Sequence, residues 1–143
     1  METTKNAGVL KVLSVSPMAE DHRLLQAIVD HTTWRLLKAD RLSEAFSVLR
    51  QHEISVVLCE RDLVTGNWAD VLEAASELPC PPSLIVTSRV ADERLWGEAL
   101  NLGAWDVLAK PFDRSEVLRS IKTAWQHWYN QAQLPAKVMR AAS

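Results

Sequence analysis

The sequence has 143 residues, of which 48% are hydrophobic and 24% are charged, and this combination predicts one compact domain and excludes an intrinsically disordered chain. Sixteen lysines and arginines against eighteen aspartates and glutamates leave a formal net charge of -2. A chain with this balance lacks the basic surface that binds nucleic acid or an anionic membrane, so we expect neither as a partner.

The amino-terminal part of the chain predicts a strand, a helix and a second strand. The β-prone run 9–15 is followed by Ser16 and Pro17, whose residue types suit the N-cap and the first position of a helix. Glu20 and Asp21 would then lie in the first turn, where the helix dipole favours acids. Apolar residues at helical spacing continue this helix over 24–29, and residues 33–39 predict the second strand.

The middle of the chain predicts two helices around its most clearly buried strand. Apolar residues recur at i, i+3, i+4 and i+7 over 42–49, which is typical of a helix. The run 54–59 is short, β-branched and nearly free of polar residues, so it predicts a buried strand that Glu60, Arg61 and Asp62 end. A turn over 65–67 and a helical stripe over 71–78 follow, and the prolines within 79–82 end that helix.

The carboxyl-terminal part predicts two further strands, over 83–87 and 105–109, each followed by a helix. Gly103 comes directly after the apolar stripe 95–102, where it suits a left-handed C-cap. Asp113, with Glu116 three residues later, suits the start of the last helix. We expect a single domain over residues 1–130 and a frayed tail over 131–143.

Five strands that alternate with five helices predict an α/β protein of the flavodoxin-like (βα)5 class: a doubly wound, five-stranded parallel sheet with helices on both faces. In such a sheet, functional residues collect beyond the carboxyl ends of the strands. A dinucleotide-binding enzyme would carry GxGxxG after the first strand, yet the glycines are Gly8, Gly66, Gly97 and Gly103. The pattern therefore excludes a Rossmann oxidoreductase.

The spacing of the cysteines and histidines and the length of the apolar runs exclude further classes of protein. Cys59 and Cys80 form no CxxC pair and are expected to be small, buried or half-buried hydrophobes. The four histidines lie far apart, so no metal site is predicted. The longest apolar run, 56–59, is far shorter than a membrane span, and Lys11 interrupts the apolar stretch nearest the start. We therefore expect a cytoplasmic protein.

Part of the chain resembles the receiver domain of two-component response regulators, the CheY-like family. The resemblance is carried by the segments LIVTSR and LNLGAWDVLAKPF and by the helix after them. The resemblance covers roughly residues 9–128. In that family, an acid pair after the first strand holds Mg²⁺ and an Asp at the end of the third strand accepts a phosphoryl group. A Ser or Thr ends the fourth strand, and a Lys precedes a cis proline after the fifth. Thr87 matches the hydroxyl residue, and Lys110 and Pro111 match the lysine and the cis proline.

The chain departs from this family at the metal and acceptor positions. The acid pair falls on Ser16 and Pro17, the acceptor falls on Glu60, and Val107 replaces the usual switch aromatic. The resemblance therefore implies a site degenerate for phosphorylation, with weak or absent Mg²⁺ binding and no cofactor. Glu60 is the only carboxylate that we expect there.

We expect the third and fifth strands to be neighbours, which would place the Glu60 carboxylate opposite the Lys110 ammonium. Glu60 would then substitute for the charge of a phosphoryl group. An alternative register makes Asp62 the acceptor, but it would bury Glu60 and Arg61 inside a strand at considerable desolvation cost.

The predicted function is that of a stand-alone, atypical receiver in two-component phosphorelay signalling, acting as a protein-interaction module and not as an enzyme. The alternatives are a response regulator that is phosphorylated at Asp62, and a small flavodoxin-like enzyme or ligand-binding protein. The expected partner is a histidine kinase or a downstream signalling protein. A second copy of the chain is the other candidate, through the fourth helix, fifth strand and fifth helix. We expect an exposed anchor at Trp96 or Trp128, and the interface candidates are Trp96, Trp105 and Trp128.

Overall fold

Strands and helices alternate along the chain, as the residue pattern predicts. A computed structural model of the protein describes residues 10–133. The strands of its parallel sheet are β1 (Lys11–Val15), β2 (Arg35–Ala39), β3 (Val56–Glu60), β6 (Ser83–Ser88) and β7 (Asp106–Ala109). A short antiparallel hairpin follows β3 and consists of β4 (Asp62–Leu63) and β5 (Gly66–Asn67). The helices within the described range are α1 (Ala19–Val29), α2 (Leu42–Gln51), α3 (Trp68–Ser76), α4 (Glu93–Leu102) and α5 (Arg114–Ala132).

Helices cover both faces of the sheet, which confirms the doubly wound flavodoxin-like class. Alternate side chains of a strand point to opposite faces, so Leu13 joins one core and Val12 the other. The core that contains Leu13 also takes buried side chains from α2, α3 and α4. The core that contains Val12 takes them from α1 and α5.

The strand order is β2-β1-β3-β6-β7, so the direction of winding reverses between β1 and β3. A crevice opens at such a point beyond the carboxyl ends of the strands. The expectation that the third and fifth strands are neighbours is wrong, because β6 lies between β3 and β7. Glu60 and Lys110 therefore have to approach each other across the end of β6.

The first helix begins later than predicted. Its N-cap is Met18, without a side-chain cap among the described residues, so Ser16 and Pro17 are neither the N-cap nor the first helical residue. The backbone N–H of Ser16 donates to the Ala39 carbonyl at 3.0 Å. The chain therefore still belongs to the sheet at Ser16, and the residue before a proline also avoids the helical conformation.

The ends of the domain differ in part from the prediction. Gln131 and Ala132 belong to α5, so the expected tail does not begin at residue 131. Its remaining positions 134–143, and the start of the predicted first strand at residue 9, lie outside the described residues. No helix in the range 10–133 has the length and apolar character needed to cross a membrane.

Several local predictions are confirmed. The peptide bond between Lys110 and Pro111 is cis. Gly103 ends α4 in the left-handed conformation, with φ 111°. Cys59 is buried and Cys80 is half-buried.

Candidate functional site

Strand ends meet at the carboxyl edge of the sheet and bring polar side chains together. Glu60 ends β3 and lies in register with Thr87 of β6. Lys110 follows β7, and its backbone N–H donates to the Ser88 carbonyl at 3.0 Å. Strand register therefore places side chains side by side that are far apart in sequence.

The Lys110 ammonium lies between two carboxylates. Its Nζ is 2.6 Å from Glu60 Oε1 and 2.8 Å from Asp21 Oδ2. The side chains of Lys110 and Asp21 are each 7% exposed and that of Glu60 is 11% exposed. The predicted approach of Glu60 to Lys110 is thus confirmed, and the low exposure removes most of the water that weakens surface ion pairs.

Two hydroxyl groups complete this arrangement, the Lys110 cluster, which consists of Ser16, Asp21, Glu60, Thr87 and Lys110. Ser16 Oγ donates to Asp21 Oδ2 at 2.7 Å, and Thr87 Oγ1 donates to Glu60 Oε1 at 3.3 Å. Each carboxylate thus forms an ion pair with the Lys110 ammonium and accepts one hydrogen bond from a hydroxyl group. The cluster contains two formal negative charges and one positive charge, so it carries an excess of one negative charge.

Asp21 is the member of the cluster that the sequence analysis missed. The residue pattern places it in the first turn of a helix, as the structure does, but it is buried there. Asp21, Leu25 and Val29 are spaced by four residues and all three are buried, so Asp21 lies on the core-facing side of α1. The expectation that Glu60 is the only carboxylate at the site is therefore wrong, and the four-residue spacing from Leu25 was the available signal.

His22 is a second buried polar residue that the sequence analysis did not single out. Its Nδ1 is 2.9 Å from Ser14 Oγ, and its Nε2 is 3.0 Å from the Ser16 carbonyl oxygen and 3.3 Å from Asp40 Oδ1. Because two acceptors face Nε2, that nitrogen carries the proton that donates to them. His22 thereby connects β1, α1 and the end of β2, and it supports the loop that carries Ser16.

The remaining predicted site residues surround this cluster without entering it. Pro17 is exposed next to Ser16. Asp62 is exposed on the hairpin, and its carboxylate pairs with the Arg61 guanidinium at 2.9 Å. Within residues 10–133, no three His, Cys, Asp or Glu side chains are grouped so that they could hold a metal ion.

Cys59 lies next to Glu60 inside β3. Burial raises the pKa of its thiol well above the ordinary value, and the negative charge of Glu60 raises it further. The thiol is therefore neutral, and it packs as an apolar group behind the cluster.

The tryptophans differ in exposure. Trp96 is 37% exposed on α4, and Trp105 is 36% exposed and stacks on His127 with ring centroids 4.6 Å apart. Trp128 is buried and donates from Nε1 to the Cys80 carbonyl at 3.4 Å, so it is not an exposed anchor. The reason is its position on α5, where it continues the buried stripe formed by Val117, Ile121 and Ala124.

The chain matches known proteins over most of its length. A family model described as the response regulator receiver domain matches residues 18–122. Transcriptional regulatory protein CpxR from Klebsiella pneumoniae subsp. pneumoniae strain HS11286 is 28% identical over 126 residues, which are 86% of this chain and 53% of that protein. The chain thus spans about half the length of this curated relative.

Solved structures share the fold at low sequence identity. The signal receiver domain of an HD domain-containing protein from Pseudomonas fluorescens Pf-5 has a TM-score of 0.79 and 22% identity, over 88% of this chain and 94% of that one. A CheY-like response regulator receiver domain protein from Methanospirillum hungatei JF-1 has a TM-score of 0.76 and 17% identity, over 87% and 99% of the two chains. At these identities the similarity is one of fold.

Proposed function

The chain belongs to the response regulator receiver domain family of two-component systems, and from this premise we propose that it signals without being phosphorylated. In this proposal, the Lys110 cluster holds the site in one charge state. The protein then transmits or receives a signal through contacts with other proteins and not through phosphoryl transfer.

The observation that carries this proposal is the position of the Lys110 ammonium between the Glu60 and Asp21 carboxylates. Phosphoryl transfer depends on cations that neutralise the oxygens of the transferred group. Here both of the nearest carboxylates already share the only ammonium in the cluster. An incoming phosphoryl group would have to break buried ion pairs before it could use that charge.

The residues present do not fit Mg²⁺. Mg²⁺ is bound by oxygen ligands that include carboxylates in near-octahedral geometry. At the positions that correspond to the family's acid pair, the Ser16 hydroxyl is already bonded to Asp21 and Met18, and Pro17 has no side-chain oxygen. The oxygens of Asp21 and Glu60 that face each other are occupied by Lys110. A hydrated divalent cation would therefore have to displace a buried ammonium.

Glu60 supplies a carboxylate where the family carries its acceptor. Its side chain is one methylene longer than that of aspartate, and its Oε1 contacts both Lys110 Nζ and Thr87 Oγ1. The hydroxyl residue and the lysine thus both contact a carboxyl group that the sequence itself supplies. This arrangement supports a receiver whose conformation is set by its own sequence.

We further propose a cytoplasmic location and a partner surface formed by α4, β7 and α5. Trp96 and Trp105 are the partly exposed aromatic residues of this surface, and exposed aromatic residues often anchor interfaces. A histidine kinase, a downstream signalling protein and a second copy of the chain are its candidate partners. If a second copy binds there, Trp96→Ala should abolish a dimer detected by sedimentation, whereas Val90→Ala, at an exposed residue outside α4, should not.

Phosphate incorporation from acetyl phosphate in the presence of Mg²⁺ tests the central proposal. We expect no labelling of the native chain or of Glu60→Asp, because the metal positions stay empty of acids. The triple variant Ser16→Asp, Pro17→Asp, Glu60→Asp restores the family's acids and should be labelled, which makes it the positive control. Stable labelling of the native chain would overturn the proposal, and its location at Asp62 would establish the alternative register.

A further inference from the structure

His22 is a buried histidine that lies outside the Lys110 cluster but contacts the loop that carries one of its members. It follows Asp21 on α1, and its ring reaches Ser14 of β1 and the backbone just after that strand. Burial of a polar ring costs free energy unless its nitrogens are hydrogen-bonded. Both nitrogens have partners here, so hydrogen bonds fix the orientation of the ring.

Three contacts lead from His22 to Lys110. His22 Nε2 donates to the Ser16 carbonyl at 3.0 Å, and Ser16 Oγ donates to Asp21 Oδ2 at 2.7 Å. That same oxygen, Asp21 Oδ2, is 2.8 Å from Lys110 Nζ. The carboxylate oxygen that pairs with the ammonium is therefore also the one that the Ser16 hydroxyl holds. His22, Ser16 and Asp21 are all buried, so little water competes for these bonds.

Two backbone hydrogen bonds hold Ser16 in this position. Its N–H donates to the Ala39 carbonyl at 3.0 Å, and its carbonyl accepts from His22 Nε2. The first bond connects the residue to β2 and the second connects it to α1. Loss of the second bond would deprive a buried carbonyl of its donor, which is costly. The loop would then shift to satisfy that carbonyl, and the Ser16 hydroxyl would move with it.

Asp40 is the other acceptor that faces the His22 ring. Its Oδ1 is 3.3 Å from Nε2, and its side chain is 62% exposed. An ion pair with such an exposed carboxylate contributes little, because water screens it. The Ser16 carbonyl is closer and belongs to a buried residue, so it is the partner through which His22 acts on the site.

We infer that His22 is a positioning residue for the Lys110 cluster: through Ser16 it keeps Asp21 Oδ2 on the Lys110 ammonium, and it thereby closes that amine to reagents in solution. The inference rests on the proposed function in one respect, since it names the residue that holds the cluster in its one charge state. A histidine that merely filled space between β1 and α1 would stabilise the fold without changing the reactivity of the Lys110 amine.

Acylation of the full chain by acetic anhydride, followed by mass spectrometry of tryptic peptides, tests this inference. Residues 95–114 form one peptide in which Lys110 is the only lysine, because trypsin does not cleave the bond to Pro111. Lys122, which is exposed on α5, provides the reference rate in the same sample. Reaction of Lys110 requires local opening of buried ion pairs, so in the native chain its amine should react at least about a hundredfold more slowly than that of Lys122.

Substitutions of His22 separate its two hydrogen bonds. His22→Leu fills similar space but cannot donate to Ser16, so the Lys110 rate relative to Lys122 should rise about tenfold or more, as expected for loss of one buried hydrogen bond. His22→Gln keeps an amide N–H that can reach the same carbonyl, and its relative rate should stay close to the native value. If His22→Leu does not fold, His22→Asn replaces it, because the shorter amide can reach Ser14 but not the Ser16 carbonyl.

Two control variants keep the test specific to this path. Val29→Ala removes buried apolar atoms at the far end of the same helix, and it should lower stability without raising the relative Lys110 rate. Asp40→Asn removes the exposed charge beside the ring and should also leave that rate unchanged.

Four results would overturn the inference. They are a native Lys110 that reacts as fast as Lys122, an unchanged relative rate in His22→Leu or its replacement His22→Asn, an equal rise in Val29→Ala, and a His22→Gln variant as reactive as His22→Leu. Phosphate labelling of the native chain would overturn the proposed function and not this inference, which is decided by the Lys110 rates alone.

Discussion

Removal of the Lys110 ammonium is the most direct perturbation of the candidate site. In Lys110→Met, an aliphatic chain of similar length fills the same space, but the Asp21 and Glu60 carboxylates lose their shared partner. The two oxygens that contact Nζ, at 2.8 and 2.6 Å, can be no more than about 5.4 Å apart. The variant therefore leaves two like charges close together in a buried site.

The expected loss of stability follows from this geometry. Two unit charges about 5.4 Å apart repel by about 3 kcal/mol at an effective dielectric constant of about 20. Removal of one partner from a buried ion pair typically costs about 3–5 kcal/mol. We expect Lys110→Met to lower the free energy of unfolding by this amount, which corresponds to a decrease in Tm of roughly 10–20 °C.

Denaturant unfolding of matched variants provides the measurement. Lys122→Met makes the same change at an exposed position of α5 and should alter the free energy of unfolding by no more than about 0.5 kcal/mol. The double variant Glu60→Gln, Lys110→Met leaves one carboxylate and should regain about 0.5–3 kcal/mol relative to Lys110→Met. This double variant keeps the test informative if the single variant does not fold.

Mg²⁺ gives a second readout that a purely structural lysine would not produce. Without the ammonium, the facing oxygens of Asp21 and Glu60 become available to a cation that favours one or two carboxylates. Millimolar Mg²⁺ should therefore stabilise Lys110→Met against unfolding and leave the native chain unchanged. A loss of less than about 1 kcal/mol in Lys110→Met, or equal stabilisation of both proteins by Mg²⁺, would refute the reasoning.

Three further predictions concern the cysteines and the glycines. Cys80 should react with a thiol reagent in the native state, and Cys59 should react only after unfolding, as mass spectrometry of the labelled peptides would reveal. Burial raises the pKa of the Cys59 thiol in the folded state, so above about pH 8.5 this thiol ionises only in the unfolded chain. The free energy of unfolding should therefore fall by up to about 1.4 kcal/mol per pH unit as the pH rises. In denaturant titrations, the free energy of unfolding of Cys59→Ala should decrease less steeply with rising alkaline pH than that of the native chain. An equally steep decrease in both proteins would contradict the assignment. Gly66→Ala should destabilise by about 1–3 kcal/mol, because its Cβ would lie 2.5 Å from Asp70 Oδ2 at a φ of 153°. Gly97 lies within α4 with open space around it, so Gly97→Ala should instead stabilise the protein by about 0.5–1 kcal/mol. In thermal unfolding, the Tm should therefore rise in Gly97→Ala and fall in Gly66→Ala.

The alternation of strands and helices, and with it the fold class, could be read from residue order. Buried strands such as β3 and amphipathic helices such as α2 carry their periodicity within a few neighbouring residues. The left-handed conformation of Gly103, directly after an apolar helical stripe, also follows from a local motif. These features are predictable because the interactions that determine them act over short distances along the chain.

The tertiary structure determined which strands and which side chains are neighbours. The order of the strands placed β6 between β3 and β7, so Glu60 reaches Lys110 across a strand and not from a neighbouring one. Hydrogen bonding of Ser16 to β2 delayed the start of α1, although its residue type suits an N-cap. In both cases the partner is distant in sequence, and no local pattern encodes it.

The same reason explains the two largest differences at single residues. Asp21 has the position of an ordinary first-turn acid, and Trp128 has that of a surface anchor near the end of a long helix. Each is buried because a particular side of its helix packs on the sheet, and for Asp21 the Lys110 ammonium compensates for lost hydration. Sequence alone determined which residue types are present and how they are spaced. The packing of helices on the sheet determined which of them meet, because burial and ion pairing depend on neighbours in space.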